Sequence, residues 1–242
     1  TSHGVPMIGC DCAVCTSEDP RDRRTRSSLF LAGDGYNVLI DTPPELRLQL
    51  CRERISRIER VLVTHSHADH VMGMDDLRRL NEMTGEPTPV YAQPGVQEDL
   101  RRIFRYVFQP PAQVGGGLPK FMLHDCGDRM APDVELFEVT HGKLPVLGVK
   151  VREFAYLTDV SEIPAEVLPR LRGLETLIID ATRRKPHPTH LNFEQALAVI
   201  EDLKPERAYL THLSHDYEYR DTNKNLPQGT ELSYDGLRIP IS

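Results

Sequence analysis

Short apolar runs alternate along this chain with stretches of helical period, and several runs stop abruptly at a histidine or an aspartate. Residues 28–32 and 36–40 predict a strand pair joined by the turn Gly33-Asp34-Gly35. Val61-Leu62-Val63 reads as a buried strand, and residues 90–92 as another. Residues 135–140 alternate like a half-buried strand and lead into His141. Residues 154–158 end in Asp159, 176–179 in Asp180, and 208–211 in His212. Helical spacing predicts helices over 45–54, 75–82, 94–108, 164–172 and 192–203. In the first, Leu46, Leu50 and Cys51 share a face, which makes Cys51 an expected core residue. In the third, Val96, Leu100, Ile103, Phe104 and Val107 form a stripe that reads as core. The last is marked by Asn192 as cap with Gln195 at the reciprocal position. Residues 110–119, with Gly115-Gly116-Gly117, form a loop, and residues 231–239 resemble a final hairpin.

The densest chemistry follows the strand at 61–63, in Thr64-His65-Ser66-His67-Ala68-Asp69-His70. Alternate residues of an extended loop leave on one side, so His65 and His67 can face a common centre, while Asp69 and His70 face a second. Imidazole with carboxylate is a ligand mix for zinc, manganese or iron rather than calcium or magnesium. This H-x-H-x-D-H pattern resembles the signature of the metallo-β-lactamase superfamily. Adding the later strand ends gives His65, His67, Asp69, His70, His141, Asp159 and His212. They divide into two sites if Asp159 bridges: His65, His67 and His141 for one metal, Asp69, His70 and His212 for the other. Two such ions close together lower the pKa of water and clamp an in-line displacement. Asp69 with His70 looks like the hydrolase version of the pattern.

Composition narrows the field. A formal net charge of −7 argues against a partner that is mainly nucleic-acid backbone, although a small anion held by metals still fits. Hydrophobic content of 39% and charged content of 27% suit a soluble globular chain long enough to bury a sizeable core. No apolar run reaches membrane-span length and no signal peptide is visible, although the sequence opens on Thr1. Cys10, Cys12 and Cys15 stand as C-x-C-x-x-C, a spacing that suits a metal in a reducing cytosol, with a fourth ligand to come from elsewhere. The charged stretch from Asp19 to Arg26 reads as a solvated loop, the alternative being a clamp for substrate phosphate.

Within the superfamily, Gly4-Val5-Pro6, the cysteine cluster, Leu39-Ile40-Asp41, Thr211-His212-Leu213-Ser214-His215 and Tyr234-Asp235-Gly236-Leu237 resemble one group. It is that of the phosphoribosyl 1,2-cyclic phosphate phosphodiesterase of carbon–phosphorus lyase pathways. The resemblance implies an α/β fold, a four-layer αββα sandwich in one domain over residues 1–242, with the first β-strand lying before Thr1. It implies two divalent ions, Zn or Mn, in the active site. It also implies a structural zinc on Cys10, Cys12, Cys15 and His215, and a catalytic pair of Asp69 and His190. His3, His124 and His187 read as plain surface or loop histidines. The implied partner is a small, cyclic or linear, phosphodiester in the cytoplasm, with no membrane and no nucleic acid; a homodimer is compatible. Tyr217 and Tyr219 stand where relatives often carry a histidine, which bears on the substrate. Three alternatives stay open: a tRNA 3′-processing-type nuclease, a carbon-ester or thioester hydrolase, and a non-catalytic accessory protein of pyrroloquinoline quinone biosynthesis.

Overall fold

The computed structural model describes residues 1–33, 36–109, 117–127, 129–131 and 133–241. The turn residues Asp34 and Gly35, and most of the glycine-rich 110–119 loop, lie outside the described residues. The chain divides into two units, Ser27–Gly127 and Thr1–Arg26 with Asp128–Ser242.

In Ser27–Gly127 the strands β1 (Leu29–Gly33), β2 (Tyr36–Ile40), β3 (Arg60–Leu62), β4 (Thr88–Ala92) and β5 (Phe121–Asp125) form one sheet in sequence order. β1 and β2 pair antiparallel, and β2 to β5 run parallel. Parallel strands need crossovers, which here include helices α1 (Leu46–Glu53), α2 (Ala68–Val71), α3 (Arg78–Thr84), α4 (Pro94–Ile103) and α5 (Arg105–Phe108). Leu39, Val61, Val63, Val90, Leu100 and Phe104 meet in the core. Three expectations are revised. Cys51 is exposed, because α1 turns only Leu46 fully inward. The 75–82 helix opens as a 3-10 turn, Met74–Leu77, before α3. The long 94–108 helix breaks at Phe104, whose ψ of 41° leaves the helical region while its ring stays buried.

In the other unit, β6 (Arg129–Ala131), β7 (Val134–His141), β8 (Leu144–Val151) and β9 (Phe154–Leu157) form an antiparallel meander. β9, β10 (Thr176–Asp180), β11 (Arg207–Thr211) and β12 (Thr230–Leu232) continue the seven-stranded sheet in parallel. Helix α6 (Phe193–Leu203) starts in a complete capping box between Asn192 and Gln195, as expected, and α7 (Tyr219–Lys224) follows β11. The 164–172 segment keeps only a 3-10 turn, Leu168–Leu171, since Pro169 has no N–H for an α-helical ladder. The tail is not a hairpin: β12 joins the parallel sheet beside β11. Part of the 19–26 stretch is buried rather than solvated. Arg24 donates to Asp22 and to the carbonyls of Ser214 and Tyr217, and Tyr219 N–H donates to Asp22.

Candidate metal centres and active site

The loop after β3, Asp180 and His212 stand at the carboxyl ends of parallel strands, the usual place for sites in α/β sheets, while His141 ends the antiparallel strand β7. Asp41, Asp159 and His212 each follow a strand with φ of 61°, 52° and 57°. A positive φ is uncommon outside glycine, with Asp and His among its better-tolerated occupants, and it turns the chain sharply at the strand end.

In Ser27–Gly127 the loop after β3 gathers His65, His67, Asp69 and His70. His65 Nε2 stands 3.0 Å from His67 Nδ1, the His65 and His70 rings lie 4.2 Å apart, and His70 Nε2 is 3.5 Å from Asp69 Oδ2. In the other unit, Asp159 has His212 Nε2 at 3.5 Å and the Nε2 atoms of His141 and His190 at 4.0 Å. The His190 ring stacks on His212 at 5.0 Å and meets His141 edge-on at 4.5 Å. Asp69, His70, His141, Asp159, His190 and His212 are buried, and His67 is exposed.

The far side of each ring decides what the near side can do. His70 Nδ1 faces Asp41 Oδ2 at 2.7 Å, and Thr64 Oγ1 donates to the same carboxylate while facing His65 Nδ1 at 3.1 Å. The second unit repeats the arrangement. His190 Nδ1 faces Asp180 Oδ2 at 2.7 Å, and Thr182 Oγ1 donates to Asp180 while facing His212 Nδ1 at 2.9 Å. His141 Nδ1 faces the Thr189 carbonyl at 2.5 Å. Carboxylates and carbonyls only accept, and each threonine has already given its proton to an aspartate, so all five rings carry hydrogen on Nδ1. Their Nε2 lone pairs are thereby presented inward, the tautomer that metal-binding histidines hold. The donor set fits divalent cations. The 3.0 Å approach of His65 Nε2 to His67 Nδ1 fits as well, since two nitrogens on one tetrahedral zinc lie roughly 3.4 Å apart.

His190 is the exception in charge. Burial favours its neutral form, but the hydrogen bond and charge of Asp180, with Asp159 adding to them, outweigh it and raise the pKa above the ordinary histidine value. His187, ten residues before Leu197 in the same loop-helix segment, is pulled the other way by burial, then by the charges of His190 and Arg183.

A separate cluster joins the N-terminal loop to the residue three beyond His212. Cys10, Cys12 and Cys15 Sγ lie 3.2, 3.5 and 3.6 Å from His215 Nδ1. A sulfur and a nitrogen on one tetrahedral zinc stand roughly 3.6 Å apart, so these four fit that ion. Cys15 N–H donates to Cys12 Sγ and draws that thiol down to about 6, while burial pushes Cys15 up to about 11.

The residues to which the sequence points are His65, His67, Asp69, His70, His141, Asp159, His190, His212, Cys10, Cys12, Cys15 and His215. The structure brings the first four together in one unit and the other eight into two clusters of the second. Asp41, Asp180, Thr64, Thr182 and Thr189 join them only in the structure, although the two aspartates are visible in the sequence as polar strand ends. His187, read as a plain loop histidine, lies 4.9 Å from His190.

The Beta-lactamase superfamily domain model matches residues 36–213, which contain every active-site candidate. The chain belongs to the metallo-β-lactamase superfamily. Among solved structures this superfamily member is similar to a diphosphatase from the PhnP family, with 41% identity, a TM-score of 0.89, and coverage of 98% of this chain and 92% of that one. That likeness places it in the PhnP group and shows the α/β metallo-β-lactamase fold of a metal-dependent hydrolase domain. It is 39% identical over its whole length to an octanoyltransferase of Porphyromonas gingivalis, and spans half of that curated relative. It is 28% identical to the coenzyme PQQ synthesis protein B of Methylorubrum extorquens (strain PA1), over 74% of this chain and 69% of that protein. No described helix is long and apolar enough to cross a membrane.

Proposed function

We propose that this domain hydrolyses a small phosphodiester, of the phosphoribosyl cyclic phosphate type, with two divalent cations. His65, His67 and His141 would hold one ion and Asp69, His70 and His212 the other, with Asp159 shared. When bound, the pair neutralises phosphoryl oxygens and eases ionisation of water. Asp69 accepts from and orients the attacking water. As the water oxygen adds to phosphorus it gives one proton to Asp69, the bond from phosphorus to the ester oxygen breaks, and the departing alkoxide takes a proton from His190 Nε2. The observation that carries this reading is the His190–Asp180 pair at 2.7 Å, which fixes the imidazole through Nδ1 with Nε2 turned towards Asp159. Similarity to a protein described as a PhnP-family diphosphatase supports it. Cys10, Cys12, Cys15 and His215 would hold a third, structural zinc and pin the N-terminal loop beside His212.

The test is a panel for metal-loaded protein: a nitrophenyl phosphodiester, phosphoribosyl 1,2-cyclic phosphate, 2′,3′-cyclic nucleotides, a tRNA precursor, a lactone and a thioester. Turnover is expected for the small phosphodiesters. Asp69→Ala should abolish it, and His190→Ala should lower kcat by about 10²–10⁴ on alkyl esters. The His190→Ala loss should shrink with nitrophenolate, which leaves without protonation. A loss equal for both leaving groups would remove His190 from the acid role. Turnover of the thioester or lactone alone would overturn the phosphodiesterase reading, and binding of metals with no turnover would favour an accessory role.

A further inference from the structure

The loop between β10 and α6 displays a second imidazole that the scheme above does not use. The His187 ring lies 4.9 Å from that of His190 at an interplanar angle of 67°. Its Nδ1 faces Thr189 N–H at 3.2 Å and Thr189 Oγ1 at 3.1 Å. A backbone N–H can only donate, so Nδ1 is the acceptor and a neutral ring carries its hydrogen on Nε2. His187 is half-buried, and among the described residues its only hydrogen bonds are those two, both made through Nδ1.

The support beneath this ring is firm. The Thr189 carbonyl accepts from His141 Nδ1, and the Thr189 methyl packs over Gly142. A Cβ on Gly142, where φ is 66°, would come 2.8 Å from Thr189 Cγ2. Thr189 thus fixes both rings, turning His141 Nε2 towards Asp159 and fixing the tautomer of His187. The loop is also basic in a chain of net charge −7, holding Arg183, Arg184 and Lys185. Arg184 is committed to Asp216 and to the Phe193 and Tyr217 rings, while Arg183 Nη2 bends back to the Pro186 carbonyl. Of the donors in this loop, His187 Nε2–H is the one carried by a ring packed against His190, in a positive setting suited to an anionic oxygen.

We propose that His187 contacts the substrate, its Nε2–H donating to an anionic oxygen of the phosphoryl ester held against His190. The assignment rests on the phosphodiesterase reading and adds to it a residue for binding rather than bond cleavage.

Three variants separate contact from positioning. Asparagine places an acceptor near the position of Nδ1 and keeps Thr189 in place, but lacks the distal donor. Glutamine extends an amide N–H towards the position of Nε2, and alanine removes both. Metal-loaded His187→Asn and His187→Ala should raise KM for a nitrophenyl phosphodiester, and Ki for inorganic phosphate, by about 10-fold or more, the range for losing a bond to a charged group. Their kcat should stay within about threefold of the parent, and His187→Gln should recover most of the loss. Parent-like behaviour of the asparagine variant would overturn the proposal, because the ring would then only hold Thr189. A fall in kcat without a rise in KM in all three would overturn it too. If the parent hydrolyses carbon esters and no phosphodiester, the phosphodiesterase reading fails while calorimetric titration with inorganic phosphate still decides this one. Weaker phosphate binding in His187→Asn supports an anion contact at His187, and unchanged binding overturns it.

Discussion

Asp41 and Asp180 are fully buried, and each satisfies its carboxylate with a histidine Nδ1, a threonine hydroxyl and a backbone N–H. Each sits at the Nδ1 side of its histidine and so settles that Nε2 is the nitrogen presented on the other side. Asp41→Asn would set an amide N–H against one of these donors and free the His70 ring to turn or change tautomer. The expected result is a loss of about 10–100-fold in affinity for active-site metal, read by competition with a chromogenic chelator. Unchanged affinity would mean that His70 is oriented by its backbone alone. This is also where sequence reading ran out. Histidine and aspartate at strand ends announce themselves through residue type and spacing. Thr64, Thr182 and Thr189 look like any other threonine until the fold sets a histidine against them. Asp180 carried the same signal as Asp159 at the end of an apolar run. Only the structure separates their roles, one turned to three Nε2 atoms and the other to a ring's far side.

Elements were legible where local signals agreed with tertiary demands. The capping box of α6 was readable because Asn192 and Gln195 bond to each other's backbone within one turn. Asn192→Ala should cost about 1 kcal/mol, lowering the melting temperature by about 2–4 °C and the urea midpoint in proportion. No change in either would show that packing alone sets the start of α6. The tail was misread because β12 is made by a neighbour distant in sequence, β11, rather than by a local turn. The basic 19–26 stretch was misread for a related reason. Charge in a sequence suggests solvent, but Arg24 is 6% exposed and Asp22 fully buried, with three carbonyl or carboxylate oxygens around the guanidinium. Replacing Arg24 with methionine would leave the buried Asp22 without its guanidinium partner, keeping only the Ser17 hydroxyl and the Tyr219 N–H. A loss of about 3–5 kcal/mol is expected in denaturant unfolding. A loss below about 1 kcal/mol would show that the pair is solvated in solution.

At the scale of the whole molecule, the proposed ligand sets make a statement about counting. Four of the proposed active-site metal ligands come from Ser27–Gly127 and three from the other unit, and the cysteine cluster is contained in the latter. If the active-site sets act together, the protein purified with its metals should carry three ions per chain by elemental analysis. Cys15→Ser should remove one ion and leave phosphodiester turnover measurable, since no thiolate takes part in the reaction scheme. Asp159→Asn should act on the other two and abolish turnover while sparing the cysteine-bound ion. Metal bound only to the folded state also stabilises it, by about 2.7 kcal/mol at a free concentration 100 times Kd. Stripping all three ions should therefore lower the melting temperature by several degrees. Refilling Cys15→Ser should restore less of that loss than refilling the parent. Two ions in the parent and two in Cys15→Ser would exclude the structural zinc, because the serine variant would then have had no ion to lose. One ion in Cys15→Ser would reduce the active site to a single metal, leaving Asp159 with nothing to bridge.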